Sequence, residues 1–143
     1  MTFATRSAGT IRPMSTSVPD ARSVVSRYLD VLYNQRRLDL IPELIADPTW
    51  RHKAGEVKSL TMTETVERLQ STLDLCPELH FDSVVMHDDG TMVTVSWNGR
   101  STQRDGRSYE YCGIEVFKVV AGKIVEIWNS RETGGHWQPT QTG

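Results

Sequence analysis

The sequence predicts an α+β fold, in which three N-terminal helices pack on a strongly curved and mostly antiparallel sheet that forms a cone with one open end. Three observations support it. Apolar residues recur at spacings of three and four before Leu73, they alternate with polar residues from Glu78 onward, and residues 113–129 form the most apolar strand pair around a short turn. Such a concave sheet suits a small apolar molecule as its binding partner.

Length and charge limit the possible functions. The 143 residues suffice for one core, and we expect a single domain over residues 18–137. A net charge of -2 gives no basic surface, which argues against nucleic acid as a partner. No apolar run approaches the roughly 20 residues that span a bilayer, so no membrane partner is expected. We expect residues 1–17, which lack an apolar signal core, to be a disordered leader and residues 138–143 a disordered tail.

The cysteines and histidines indicate neither a disulfide nor a metal site. Cys76 and Cys112 lie far apart, and without an export signal we expect free buried thiols in a reducing cytoplasm. The four histidines, at positions 52, 80, 87 and 136, lack the close pair spacing and the cysteine companion of a metal centre. There is no Gly-rich phosphate loop. We therefore expect no cofactor.

Capping signals and apolar spacing predict the helices. Ser17-Val-Pro-Asp20 resembles a capping start for the first one, with Pro19 in its first turn, and a capping box of Thr61 and Glu64 begins the third. The second helix is short and has Pro42 near its first turn. The first helix is predicted to run from this capping start to about residue 35, the others span 38–46 and 61–73, and residues 54–60 are predicted to be a loop.

Residues 49–53 alternate in the manner of a strand. Arg51 and Lys53 share one face, which we expect to be the solvent face, so Trp50 and His52 would point into the cone. Histidine is the side chain whose unperturbed pKa lies nearest neutral pH, which makes His52 a candidate for proton transfer. The alternative is a histidine that is simply satisfied in the core.

Four antiparallel strands are predicted after residue 77. Asp-Asp-Gly at 88–90 and Asp-Gly at 105–106 mark the first two turns. Alternation places Trp97 inside the cone, and it places Tyr109 and Tyr111 on the face of Glu115.

The last hairpin, residues 113–129, carries the candidate site. We expect Gly122 at positive φ after a type I turn and Val119 opposite Lys123, which puts Glu115 opposite Ile127. The predicted inner face holds Glu115, Phe117, Val119, Val125, Ile127 and Asn129. The predicted outer face holds Ile114, Val116, Ile124, Glu126 and Trp128. We expect this apolar outer face to form a homodimer.

Glu115 is an acid on an otherwise apolar face. A buried carboxyl group without a partner is unfavourable, so a sequence that keeps one usually pairs it or uses it. In the structural alternative Glu115 lies at a rim, or it is paired with Arg131 or Arg100. In the functional alternative desolvation raises its pKa toward neutrality and it transfers protons.

Three segments carry a family resemblance. They are Cys-Pro-Glu-Leu-His-Phe at 76–81, the Asp-Asp-Gly turn with Val-Thr-Val-Ser-Trp97, and residues 113–129. The last follows the pattern Gly-Ile-acid-apolar-Phe, turn, Gly-Lys-Ile-Val-Glu-x-Trp-Asp. Over about residues 20–131 the chain resembles the SnoaL-like polyketide cyclase group of the nuclear transport factor 2-like (NTF2-like) superfamily. The resemblance implies the cone fold, which hosts cyclases, isomerases, epoxide hydrolases, dehydratases and non-catalytic modules.

The resemblance also implies three catalytic positions. His52 falls where many members have an inward His or Asn, and Glu115 falls where they have an inward acid or His. Asn129 falls where the cyclases have an Asp that serves as general acid and base. An amide cannot transfer a proton, so Asn129 is a departure and would instead hold a carbonyl or enolate oxygen. The Arg-x-Asp of the epoxide hydrolases is also incomplete, because Gly113-Ile-Glu115 stands in its place.

The predicted function is a cofactor-independent enzyme of SnoaL-like type that cyclises or isomerises an apolar polyketide- or terpenoid-like substrate by acid/base catalysis. One alternative is an epoxide hydrolase or dehydratase of the same fold. The other is a non-catalytic module for ligand binding or dimerisation. The predicted substrate-binding residues are Tyr28, Trp50, Trp97, Tyr109, Tyr111, Phe117, Ile127 and Arg131.

Overall fold

The computed structural model describes residues 17–140, which form N-terminal helices and a curved mixed sheet of six strands. Residues 1–16 of the predicted leader and 141–143 of the predicted tail lie outside the described residues. The α+β cone that the sequence predicts is confirmed.

The third helix begins at its predicted capping box, whereas the first begins later than predicted, because Asp20 rather than Ser17 is its N-cap and Pro19 precedes it. The Asp20 carboxylate accepts a hydrogen bond from the Ser23 amide at 2.8 Å. The Thr61 hydroxyl accepts from the Glu64 amide at 3.1 Å and the Glu64 carboxylate accepts from the Thr61 amide at 2.9 Å, so the capping box is complete. The helices are α1 (Ala21–Arg27), which continues as a π-helix (Tyr28–Tyr33), α2 (Ile41–Leu44), which follows a 3₁₀ turn (Leu38–Leu40), and α3 (Met62–Leu75).

The strands form one sheet in the order β2-β1-β6-β5-β4-β3, and within it only the β1–β6 pair is parallel. Strand β2 occupies the segment predicted to be a loop. It is a polar and mostly exposed strand beside β1, so it has no apolar alternation to reveal it. The bounds are β1 Ile45–Lys53, β2 Glu56–Leu60, β3 Glu78–Asp88, β4 Met92–Thr102, β5 Ser108–Val120 and β6 Lys123–Thr133.

The last hairpin has a different register from the predicted one. Val120 pairs with Lys123 around a two-residue turn in which Ala121 (φ 52°) and Gly122 (φ 79°) both have positive φ, as in a type I′ turn. A bulge in β6 then shifts the pairing by one more residue. As a result Glu115 lies opposite Asn129 rather than Ile127.

Because of the turn and this bulge, one residue of the predicted outer face lies in the core instead. Ile124 pairs with Val119 and is 0% exposed, so it belongs to the core and not to the outer surface. Beyond the bulge the predicted alternation holds, because Phe117 and Ile127 are both buried.

The core lies between the helices and the concave face of the sheet. Tyr28 of the π-helix packs edge-on against Phe117 of β5, with ring centroids 5.5 Å apart. These two side chains and Ile127 are almost fully buried. This floor supports the cavity described next.

Candidate active site

A cavity of about 470 Å³ occupies the concave side of the sheet, beneath α3. Its volume is within the range of small-molecule sites, roughly 300–1,000 Å³. Its charged lining residues are Arg51, Arg68, Glu115 and Arg131. Its aromatic lining residues are Tyr33, Phe81, Trp97, Tyr109 and Tyr111. The cavity therefore combines a flat apolar wall with a small set of charged groups.

Glu115 lies on the wall of this cavity and is only 6% exposed. The indole Nε1–H of Trp97, on the neighbouring strand β4, donates a hydrogen bond to its Oε1 at 2.9 Å. Among residues 17–140 this is the carboxyl group's one hydrogen bond, and none of the salt bridges involves it. One oxygen is thus held in place while the other can meet a ligand.

Gly113 allows the indole to reach Glu115. Gly113 pairs with Trp97 across β4 and β5, and a Cβ at this position would lie 2.4 Å from Cζ2 of the indole ring. A side chain here would displace the indole. The Gly-x-Glu sequence of β5 therefore leaves space for Trp97 and, two residues later on the same face, supplies the carboxyl group that the indole binds.

Burial raises the pKa of the Glu115 carboxyl group above its ordinary value of 4.5. The positive charge of Arg51, the hydrogen bond from Trp97 and the charge of Arg68 oppose this shift but do not cancel it. The pKa of this carboxyl group is therefore closer to neutral pH than that of an exposed glutamate, which suits both proton uptake and proton release.

Asn129 faces the same cavity from β6, directly opposite Glu115. Directly paired residues of an antiparallel ladder have Cβ atoms about 4.5–5.5 Å apart. The Oδ1 atom of Asn129 is buried and has no hydrogen-bond partner among residues 17–140. This carboxamide oxygen thus lacks a hydrogen-bond donor, and it belongs to the residue paired with Glu115.

Two arginines form the other polar side of the cavity. Arg68 of α3 points its Nη2 toward the hydroxyl group of Tyr33 at 3.4 Å, and that hydroxyl lies 3.5 Å from the hydroxyl of Tyr28. Burial raises the pKa of Tyr28, and the charges of Arg51 and Arg68 oppose that rise. The same two arginines act on the pKa of Glu115, so the cations and the acid share one electrostatic environment.

The structure brings most of the predicted site residues to the cavity, though not all of them. Tyr28, Phe117 and Ile127 belong to the core below the cavity and do not line it. The predicted residues that do line it are Glu115, Asn129, Trp97, Tyr109, Tyr111 and Arg131.

Trp50 and His52 point away from the cavity, contrary to prediction. Trp50 is 46% exposed, and the His52 ring stacks on Trp128 of β6 with centroids 4.9 Å apart. The His52 Nε2 atom also lies 2.6 Å from the Glu126 carboxylate. The outer face gives His52 an aromatic and an acidic neighbour, so the rule that charged residues mark the solvent face predicts the wrong side of β1. Arg51 faces inward instead.

Sequence reasoning missed Arg51 and Arg68. Arg51 was assigned to solvent because of its charge. Arg68 follows the buried Thr65 by three residues on α3, but a threonine adds little to an apolar pattern, so the helix gave no signal of an inward arginine. Only long-range contacts from the π-helix and the sheet identify these positions.

The family model of the SnoaL-like polyketide cyclases matches residues 22–133. The chain belongs to this family. No protein of curated function matches the chain in sequence. The membership agrees with a conical sheet that encloses a cavity for a small molecule.

Solved structures of SnoaL-like proteins share the fold. A candidate polyketide cyclase from Acidithiobacillus ferrooxidans has 18% identity and a TM-score of 0.71, with 78% of this chain and 87% of that chain covered. A SnoaL-like polyketide cyclase from Agrobacterium tumefaciens has 18% identity and a TM-score of 0.67, with coverages of 78% and 90%. IdmH, a candidate polyketide cyclase from Streptomyces antibioticus, has 20% identity and a TM-score of 0.66, with coverages of 78% and 91%.

Two further properties concern metals and membranes. Within residues 17–140 no three His, Cys, Asp or Glu side chains are grouped as metal ligands would be. In the same part of the chain, no helix has the length and apolarity needed to cross a membrane.

Proposed function

We propose that this SnoaL-like protein is a cofactor-independent enzyme that cyclises or isomerises an apolar polyketide- or terpenoid-like substrate, with Glu115 as its proton-transfer residue. The observation that carries the proposal is the position of the Glu115 carboxyl group. It is buried in the cavity wall, held through one oxygen by Trp97 at 2.9 Å, and not neutralised by a salt bridge among residues 17–140.

A single carboxyl group can perform both proton transfers of a ring closure. The Glu115 carboxylate removes a proton from a carbon next to a substrate carbonyl group, which leaves an enolate. The enolate carbon forms a bond with a second carbonyl carbon of the same molecule, and the electron pair of that carbonyl bond moves to its oxygen. The protonated Glu115 then returns its proton to this alkoxide. An isomerisation uses the same first step and returns the proton to another carbon.

Asn129 and Arg51 would stabilise the negative oxygen of the enolate. Asn129 lies directly opposite Glu115, and its amide N–H can donate to a substrate oxygen. The Arg51 guanidinium contributes positive charge in the same environment. A half-buried cation at the cavity wall is more effective than one in water, because the cavity screens its field less.

The proposal does not include His52, which lies on the outer face of the sheet beside Trp128. It also leaves Asn129 without a proton-transfer role, so Glu115 is the group in the cavity that takes and gives protons. Glu115 is the one carboxyl group in the described cavity lining. The main alternative, a module that only binds its ligand, is supported by this absence of a second acid.

Exchange of carbon-bound protons tests the proposal without knowledge of the natural substrate. The probe is 2-tetralone, a bicyclic ketone, in deuterated buffer, with loss of its α-proton signals followed by NMR. We expect the wild-type protein to accelerate the exchange and Glu115→Gln to remove the acceleration, a loss of about 100-fold or more. The matched control is Glu132→Gln, an exposed acid of β6, which should exchange at the wild-type rate. Equal rates with and without wild-type protein would support the binding module instead.

A homodimer through the outer face of the sheet is part of the same proposal. Ile114 is 43% exposed and Trp50 is 46% exposed, and both lie on that face near Trp128. Light scattering of the wild-type protein should give a dimer, and Ile114→Glu should give a monomer. Val120→Glu, at the tip of the last hairpin, is the control that should leave the dimer intact. A monomeric wild-type protein would contradict this part of the proposal.

A further inference from the structure

The charges that line the cavity do not balance. Arg51, Arg68 and Arg131 line it together with one acid, Glu115. None of these four residues takes part in the salt bridges of residues 17–140, whereas surface arginines such as Arg27 and Arg107 do. The described cavity lining therefore has an excess of positive charge, and this excess grows when Glu115 is protonated.

Arg68 is the cavity cation with a buried donor that lacks a partner. Its Nε atom is buried and has no hydrogen-bond partner among residues 17–140, and its Nη2 atom lies 3.4 Å from the Tyr33 hydroxyl. An unpaired buried donor on a charged group is strongly unfavourable. The folded chain thus holds a guanidinium group toward the cavity and supplies no acceptor for its Nε–H.

Among residues 17–140, no neighbouring group accepts a hydrogen bond from the Nε–H of Arg68. The Glu115 carboxyl group is bound by Trp97 and forms no salt bridge with Arg68. The hydroxyl groups of Tyr28 and Tyr33 lie 3.5 Å from each other and interact with the Arg68 guanidinium group, yet neither accepts a hydrogen bond from its Nε atom. Arg131 lies elsewhere on the wall, with its guanidinium carbon 5.4 Å from the centre of the Tyr111 ring. The acceptor that Arg68 requires is therefore a group that enters the cavity.

We propose that the ligand of this cavity carries a carboxylate group, which Arg68 binds through its Nε–H and Nη–H donors with the positive charge of Arg51 nearby. The planar guanidinium group matches a carboxylate with two parallel hydrogen bonds, which a neutral carbonyl group cannot reproduce. The apolar part of the ligand then lies along Phe81, Trp97 and Tyr111, toward the Glu115 carboxyl group. The inference rests on the proposed function, since it names the class of substrate for the same cavity.

The test compares two probes of nearly equal size and shape, the anion 2-naphthoate and the neutral 2-naphthamide, by isothermal titration calorimetry at pH 7. We expect the wild-type protein to bind the acid at least about tenfold more tightly than the amide. Arg68→Met should remove this preference and leave the affinity for the amide unchanged, which also shows that the variant is folded. Arg107→Met, at an exposed surface arginine, is the matched control and should keep the preference.

Three results would overturn the inference. They are equal affinities of the wild-type protein for the acid and the amide, no binding of either probe, and a preference for the acid that survives in Arg68→Met. If Arg68→Met binds neither probe, Arg68→Lys decides, because it keeps the charge but not the planar fork. A reduced preference in that variant supports the proposal and an unchanged one overturns it.

Glu115→Gln separates this inference from the proposed function. The variant lacks the proton-transfer group but keeps both arginines, so it should bind 2-naphthoate at least as tightly as the wild-type protein. A variant that binds the acid tightly and still accelerates proton exchange would contradict the role of Glu115 and leave the carboxylate site intact. If Glu115→Gln loses exchange but the wild-type protein shows no preference for the acid, the role of Glu115 is supported and the carboxylate site is contradicted.

Discussion

The indole Nε1–H of Trp97 donates a hydrogen bond to Oε1 of Glu115 at 2.9 Å, across neighbouring strands of the sheet. This contact fixes the orientation of a carboxyl group that burial alone would leave poorly satisfied. It also favours the ionised form, because the bond is stronger to a carboxylate than to a carboxylic acid. Trp97 is therefore a positioning residue for Glu115.

Trp97→Phe removes this donor and keeps an aromatic ring in the wall. Without the hydrogen bond the pKa of Glu115 should rise further, so the rate of 2-tetralone exchange should reach its plateau at a higher pH than in the wild-type protein. The free energy of unfolding should fall by about 1–3 kcal/mol, from the lost bond and the smaller ring. Trp50→Phe, on the outer face, should leave the pH profile unchanged. An unshifted profile in Trp97→Phe would show that the contact does not control Glu115.

The raised pKa of Glu115 predicts a pH-dependent effect on stability. Below the ordinary value of 4.5 the carboxyl group is protonated in the folded and the unfolded chain, so it adds no penalty. As the pH rises through 4.5 the unfolded chain releases this proton first, and the folded protein loses stability until Glu115 ionises as well. Glu115→Gln has no such proton to lose.

Thermal unfolding of the wild-type protein and Glu115→Gln should therefore diverge with pH. As the pH rises above 4.5, we expect the melting temperature of the variant to increase relative to that of the wild-type protein. The difference should level off above the pKa of Glu115 in the folded protein. Glu132→Gln, at an exposed position of β6, should show no such trend. If instead the wild-type protein becomes more stable relative to Glu115→Gln over this range, folding lowers the pKa of Glu115, which contradicts the account.

Gly113 is predicted to be intolerant of even a methyl group. The Cβ of Gly113→Ala would lie 2.4 Å from the Trp97 ring and 2.8 Å from the backbone oxygen of Ser130, and neither neighbour can move freely. We expect the free energy of unfolding to fall by about 1–3 kcal/mol. Chemical denaturation measures it. Gly135→Ala is the matched control, since nothing lies within 4 Å of its Cβ, and it should change stability by less than about 0.5 kcal/mol. Equal stabilities of the two variants would contradict the packing described.

The outward position of His52 predicts that it is dispensable for chemistry. His52→Ala loses the stack on Trp128 and the contact with Glu126, which should lower stability by about 1 kcal/mol, but the rate of 2-tetralone exchange should not change. Asn129→Ala, inside the cavity, should slow the exchange by about 100-fold. Slower exchange in His52→Ala than in Asn129→Ala would contradict this account and support a catalytic role for His52.

Much of this fold and part of the site follow from local patterns. Capping residues and alternation predict the helices and the four long strands, and alternation places Glu115 and Asn129 on one face. The pairing of these two residues could not be predicted, because it depends on a type I′ turn at Ala121-Gly122 and a bulge in β6, each of which shifts the register by one residue.

The errors on β1 and α3 have a different cause. The sequence pattern treats charge as a mark of the solvent face, but Arg51 and Arg68 face a cavity where a buried acid and two tyrosine hydroxyl groups surround them. His52 faces outward, where Trp128 and Glu126 are its partners, and Trp50 lies on the same face and is 46% exposed. Such compensation arises between segments that are distant in sequence, so no local pattern records it.

The most direct test of the account is the pH profile of α-proton exchange in 2-tetralone. If Glu115 is the base, the protein-catalysed rate rises as Glu115 ionises, with a midpoint above 4.5, and Glu115→Gln shows no such rise. A midpoint at or below 4.5, or a profile that survives in Glu115→Gln, would contradict the role of Glu115 as the proton-transfer residue of this cavity.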